Sequence, residues 1–265
     1  MASIFKNRFQ RARLFLRLTV RLLLFAAVTI LLVGGLFYCS RPRWNEPDQW
    51  QFPVRGIDVS EYQGEINWPM LSAQDIEFAF IKATEGSGYT DPYFTENWEN
   101  AKQSGLDVGA YHFFSFESSG ASQARHFLEV TGMRWEEGCL PPVIDVELYG
   151  DFEKNPPDAK KVRMQLLGMV HRIEDACGTA PILYATRQAY RLYLQEGFEQ
   201  CDVWIRDVWF YPELEDGRQW KFWQFSDKGL LAGYGGVEPY IDLNLFYGSA
   251  DEYAAYKQER CIPER

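Results

Sequence analysis

Histidine is scarce in this 265-residue chain, which has only His112, His126 and His171, and no two of its five cysteines form a Cys-x-x-Cys pair. A structural zinc site is therefore not expected, and no metal or other cofactor is implied. A metal-dependent deacetylase would need a His/Asp ligand set that three scattered histidines do not offer. Basic residues are also scarce outside the start of the chain. Residues 1–45 hold eight (Lys6, Arg8, Arg11, Arg13, Arg17, Arg21, Arg41 and Arg43) and no acid. The remainder carries 19 positive against 37 negative groups, a net charge of −18. It has no basic face to neutralise phosphates, which argues against a nucleic-acid binder. No Gly-x-Gly-x-x-Gly follows the first strand candidate and no P-loop occurs, so nucleotide binding has no support. Internal repeats and low-complexity tracts are absent as well. With 46% hydrophobic and 16% aromatic residues, the chain is not a disordered one.

One long apolar run is present. Leu22 to Cys39 contains eighteen residues without a charge, about 27 Å as a helix and close to the thickness of a bilayer core. Six basic residues precede it, which predicts a single-pass signal anchor with the N-terminus in the cytoplasm and the rest of the chain outside. A cleaved signal peptide is the alternative, but Phe37, Tyr38 and Cys39 offer no small-x-small cleavage site, and a bulky Phe-Tyr before Cys39 fits lipoprotein processing poorly. The expected organisation is a basic cytoplasmic segment (1–21), a membrane helix (22–39), a polar tether (40–53) holding Trp44 and Trp50, a catalytic domain (54–248) and a C-terminal helix and tail (249–265). Outside the cytoplasm disulfides are permitted, and Cys139, Cys177, Cys201 and Cys261 allow three pairings that the sequence leaves open.

Beyond the tether, short apolar runs alternate with helical stretches. Strand candidates are 55–60, 77–84, 107–114, 141–148, 180–186, 201–206, 220–225 and 240–246. Helices are expected near 68–74, 91–104, 122–130, 187–195 and 250–259. The longest should start near Pro157 and end before Gly178, with Val162, Leu166, Met169, Val170 and Ile173 as its apolar stripe. Helical signal is weak between the last three strands. Eight strands mostly separated by helices predict parallel βαβ units and an α/β fold: an irregular eight-stranded β/α barrel lacking some outer helices late in the chain. An open doubly wound sheet is the alternative.

In such a barrel the site lies at the C-terminal ends of the strands. Polar residues that break an apolar run there are Asp58 in strand one, Asp145 and Glu147 in strand four, and Asp242 in strand eight. Strands one and eight are neighbours in a closed barrel, so Asp58 and Asp242 should be close. Asp145 and Glu147 share a face, with Cα atoms about 6.6 Å apart. Converging, buried carboxyls have raised pKa values, so one can serve as a general acid while another stays charged, as glycoside hydrolysis requires. Aromatics sit at comparable positions. Tyr111, Tyr184 and Trp223 read as substrate contacts. Phe114 and Trp204 read as core, and His112 as a structural residue facing away from the lumen.

The ordered motifs resemble glycoside hydrolase family 25, the Chalaropsis-type lysozymes, over about residues 54–248. They are Gly56-Ile-Asp-Val-Ser60 with Gln63 and Trp68; Phe80-Ile-Lys-Ala-Thr-Glu-Gly86 with Asp91, Phe94 and Asn97; Gly109-Ala-Tyr-His-Phe113; Asp145-Val-Glu147; Leu183-Tyr184; Trp223-Gln224; and Asp242-Leu-Asn244. The resemblance implies an N-acetylmuramidase that cleaves the β-1,4 bond between N-acetylmuramic acid and N-acetylglucosamine in peptidoglycan. By position, Glu147 would be the general acid and Asp145 the assisting carboxylate. Asp58 and Asp242 would complete the acidic cluster, and Tyr111, Tyr184 and Trp223 would shape the glycan subsites. A degenerate, non-catalytic peptidoglycan-binding scaffold is the alternative. The sixth strand departs from the family's Trp-Ile-Ala followed by an aromatic. It reads Trp204-Ile-Arg-Asp-Val-Trp209, with Arg206 and Asp207 expected to pair with each other or with a catalytic carboxylate.

Overall fold

The computed structural model describes residues 2–40, 46–132 and 139–260, and it contains two units, divided between residues 44 and 45. The first is a single helix, α1 (Ala2–Ser40). Within it, Phe15–Leu36 has a mean hydropathy of 2.2 over 22 residues, long and apolar enough to cross a membrane. Trp44 and Cys261 lie outside the described residues, as does the side chain of Cys39.

The second unit is a closed barrel. Its strands are β1 (Arg55–Val59), β2 (Phe78–Glu85), β4 (Asp107–Phe113), β5 (Val143–Val146), β6 (Ile182–Thr186), β7 (Val203–Arg206), β8 (Phe222–Gly229) and β9 (Ile241–Phe246), paired in that order, with β9 returning to β1. A two-residue strand, β3 (Tyr89–Thr90), folds back on the end of β2. The helices are α2 (Trp68–Ser72), α3 (Phe94–Gln103), α4 (Gly120–Thr131), α5 (Ala159–Cys177), α6 (Arg187–Ala189), which runs on into a wider helical turn over Tyr190–Leu194, and α7 (Ala250–Arg260).

Two expectations need correction. Strand β9 is not parallel: it runs antiparallel to both β8 and β1. Only residues 230–240 join β8 to β9, without a helix, whereas a parallel return needs a crossover of a dozen or more residues. The long helix begins at Ala159 rather than at Pro157, because Asp158 takes the cap position and accepts a hydrogen bond from the Lys161 amide at 2.9 Å.

Strand alternation divides the apolar residues into two layers. Ile57, Val59, Ala79 and Ile81 face outward and pack with the α5 stripe of Val162, Leu166, Met169, Val170 and Ile173. Cys139, Cys177 and Cys201 are buried in this outer layer, and no disulfide links them to one another. Phe78, Phe80, Trp204, Phe222 and Phe246 face the lumen. Two glycines make room for these rings. A Cβ on Gly56 would lie 2.3 Å from the Phe78 ring, and one on Gly109 would lie 2.6 Å from the Phe80 ring. Helix α7 closes the bottom of the lumen with Tyr253, 5.0 Å from Phe246, and Tyr256, 5.7 Å from Phe222 (ring centroids). Lys257 fastens the helix to Asp107 at 2.8 Å.

Candidate active site

The same alternation carries side chains into the upper lumen. On β5, Val143 faces inward, so Asp145 and then Glu147 follow it on that face. Asp58 on β1 stands directly opposite Asp242 on β9 in the antiparallel register. These four carboxyls, with Tyr111 and Tyr184, line one cleft of about 280 Å³. Asp242 lies near the start of its strand rather than at its C-terminal end, because β9 is reversed. The reversal brings its first residues to the end of the barrel where the parallel strands finish.

Trp223 is not in the cleft. It is buried in the layer between barrel and helices, against Trp220 and Tyr211, and its indole N–H donates to the Asp207 carbonyl at 2.8 Å. Its neighbour Gln224 takes the inward position. Trp204 is both core and cleft floor. It stacks on Phe80 at 4.5 Å and donates to Asn244 at 2.8 Å. Phe114 is buried in the outer layer. His112 also faces outward, with Nδ1 2.7 Å from the Thr84 hydroxyl and Nε2 2.9 Å from Gln123 Oε1. Burial holds its pKa down to about 4, so it is neutral near pH 7.

A hydrogen-bonded chain crosses the cleft. Asp58 Oδ2 accepts from Asn244 at 2.7 Å and from Gln224 Nε2 at 2.9 Å. Gln224 Oε1 accepts from the Tyr184 hydroxyl at 2.9 Å, and the same hydroxyl lies 3.2 Å from Glu147 Oε1. Burial raises the pKa of Glu147, opposed by the Arg206 charge and the Tyr184 hydroxyl. Asp145 is raised well above the usual range by burial and then by Glu147, against the pull of Lys82. Its Oδ1 is buried and has no hydrogen-bond partner among the described residues. Burial and then Asp58 raise Asp242 well above that range; Asp58 is raised by burial, against the amides of Asn244 and Gln224. Asp58 and Asp242 stand opposite each other in the β1–β9 register, so the charge on one opposes ionisation of the other. Among the described residues, no group of His, Cys, Asp and Glu is arranged to hold a metal ion.

The chain has known counterparts. The model of glycosyl hydrolases family 25 matches residues 57–234. The chain belongs to this family. It is a glycoside hydrolase. Lysozyme M1 of Streptomyces globisporus is 34% identical over 213 residues, covering 74% of this chain and 69% of that protein. An uncharacterized protein of Escherichia coli K12, YegX, is 35% identical over 210 residues, covering 77% and 74%. The structure of a family 25 glycosyl hydrolase from Bacillus anthracis superposes with a TM-score of 0.73 at 48% identity, covering 78% of this chain and 94% of the other.

Several residues of the family 25 motifs frame the cleft rather than line its acidic centre. Ser60 and Gln63 cap each other at the turn after β1, and the Gln63 amide reaches the Tyr240 carbonyl at 3.3 Å. Asp91 accepts from the backbone amides of Glu61 and Tyr93 at 2.8 and 2.9 Å, which ties this turn to the end of β2. Asn97 accepts from the Trp68 indole at 3.1 Å and joins α3 to α2. Gln224 and Asn244 occur in the motifs, but the motifs do not show that both stand beside Asp58. The alternation on β8 and β9 was the available signal. Arg206 and Asp207 do not pair with each other: Arg206 bonds Asp227 at 2.9 Å, while Asp207 is held by Arg187. Each has its own partner, and nothing in the sequence points to Asp227.

Proposed function

We propose that this chain is a membrane-anchored lysozyme that hydrolyses the β-1,4 bond between N-acetylmuramic acid and N-acetylglucosamine in peptidoglycan, with Glu147 as general acid. The observation that carries the reading is the pair of inward carboxyls at the end of β5, in different surroundings within one open cleft. Glu147 has its proton favoured by burial and its oxygen beside the Tyr184 hydroxyl. It would donate that proton to the glycosidic oxygen as the C–O bond breaks, then take one back from the incoming water. Asp145 presents an oxygen that no group among the described residues satisfies. Buried polar atoms are almost always paired, so this oxygen suits a bond to the substrate's acetamido group or the positive charge developing at C1. Asp58 and Asp242 hold the far wall of the cleft, and Tyr111 and Tyr184 offer ring faces and hydroxyls to the sugars. Relatives named lysozyme and N,O-diacetylmuramidase support the choice of bond and polymer.

The apolar length of Phe15–Leu36 and the basic residues before it support a signal anchor, with the N-terminus in the cytoplasm and the barrel outside. The barrel's acidic surface would not draw an anionic wall polymer from a distance; tethering would hold the enzyme near its substrate instead.

The test is to digest purified peptidoglycan with residues 45–265, reduce the new ends with borohydride and identify the sugar alcohol. Muramitol is expected from the wild type. Glu147→Gln should lower the rate by about a hundredfold or more without loss of folded structure. Glucosaminitol would overturn the bond assignment. Retained binding without new ends would favour a scaffold.

A further inference from the structure

A second cavity, of about 550 Å³, opens at the ends of β6 and β7. Its wall includes Leu148, the residue after Glu147, and Thr186, Arg206 and Asp207, while Phe210 stands 70% exposed beside it. Arg206 lines this side cavity, and its partner Asp227 lines the acidic cleft. The pair therefore stands where the two spaces adjoin. Among the described residues the one hydrogen bond of Arg206 runs from Nη2 to Asp227, and its side chain is 31% exposed. Nε and Nη1 remain uncommitted. Arg206 lies on the inward face of β7, in register with Thr186 and Gln224, and its charge acts on Glu147 and Asp242. Arg187, the other guanidinium at this cavity, is held by two nitrogens against Asp207, and Glu153 adds a further negative group.

We propose that Arg206 is a specificity-determining residue, which binds a carboxylate carried on the substrate's lactyl substituent and places it in the side cavity. The proposal rests on the muramidase reading. A sugar with a carboxylate-bearing branch meets six acidic side chains in the main cleft (Asp58, Asp145, Glu147, Asp227, Glu238 and Asp242). Lys82, the cation that lines that cleft, is held by Glu85 at 2.7 Å, so a guanidinium with free donors at the junction gives the branch a favourable way out, and a planar fork matches a carboxylate. The carboxylate has two possible sources, the lactyl group itself in peptide-free strands or the stem peptide in intact ones.

The experiment compares kcat/KM on intact peptidoglycan, on strands freed of peptide, and on both after conversion of their carboxyls to methylamides. It is run on the acid side of the pH profile for wild type, Arg206→Gln and Arg206→Lys. The wild type should prefer at least one charged substrate over its methylamide by about tenfold, and the substrate that shows the preference identifies the source. Arg206→Gln should lose the preference through KM, with any change in kcat from the altered charge beside Glu147 equal on charged and methylamide substrates, and Arg206→Lys should regain part of the preference. A wild type that cleaves charged and neutral forms equally overturns the proposal, as does an Arg206→Gln enzyme that keeps the preference. Cleavage of none of the substrates by the wild type would instead sink the muramidase reading.

Discussion

The lower and upper halves of the lumen are built by the same strands, two residues apart. Phe78 and Phe80 give way to Lys82 on β2, Val143 to Asp145 on β5, Phe222 to Gln224 on β8, and Phe246 to Asn244 and Asp242 along reversed β9. Below, aromatic rings pack edge to face and helix α7 excludes water. Above, carboxyls are held in positions where burial opposes their charge. The lower half supplies stability, and the upper half uses some of it to keep acidic groups protonated and poised. The fold thus separates the two demands along the barrel axis instead of mixing them in one layer.

Breaking the lower half should have the largest effect on stability. Phe80 stacks on Trp204 and meets Phe78 edge on, so Phe80→Ala should cost about 3–5 kcal/mol in urea unfolding. Activity would then fall with the folded fraction rather than through the site.

Acid sharpens the contrast between a buried base and the buried carboxyls. His112 has a folded pKa near 4, below its unfolded value near 6.5. Its stabilising contribution is present above pH 6.5 and lost as pH falls towards 4, a change of about 3 kcal/mol. The cleft carboxyls act in the opposite direction. Their folded pKa values are raised, so the protein gains stability as pH falls through them. The difference in urea unfolding free energy between wild type and His112→Gln should therefore move in the variant's favour by about 3 kcal/mol from pH 7 to 4.5, whatever the carboxyls contribute to both.

A smaller effect is expected where backbone meets ring. Gly56→Ala pushes a methyl group into Phe78 and should cost about 1–3 kcal/mol, read as a lower urea midpoint with an unchanged slope.

The smallest change in stability should come from the upper half, with reversed sign. Asp145→Asn removes a buried, repelled carboxyl and should raise Tm at pH 7 by about 2–4 °C while the rate on peptidoglycan collapses. A fall in Tm would mean that Asp145 supports the fold rather than the reaction.

Much of this arrangement is legible in the sequence. Asp58, Asp145 and Glu147 stood out because a charge inside an apolar strand run is costly and needs a purpose. The burial of the α5 stripe followed from helical spacing alone. Trp223 was misplaced because Trp220-Lys-Phe-Trp-Gln-Phe225 is too apolar throughout to show which alternate residues face in. Parity on β8 is settled by its pairing with β7 and β9.

The sequence by itself determined the eight strands of the barrel, the acidic clusters at their ends and the one apolar segment of membrane length, since each depends on short-range pattern. Tertiary structure decided the direction of β9, the inward turn of Gln224, the pairing of Arg206 with Asp227 and the meeting of four carboxyls from three strands. Those outcomes depend on contacts between residues as far apart as Asp58 and Asn244, whose register is set only when the barrel closes.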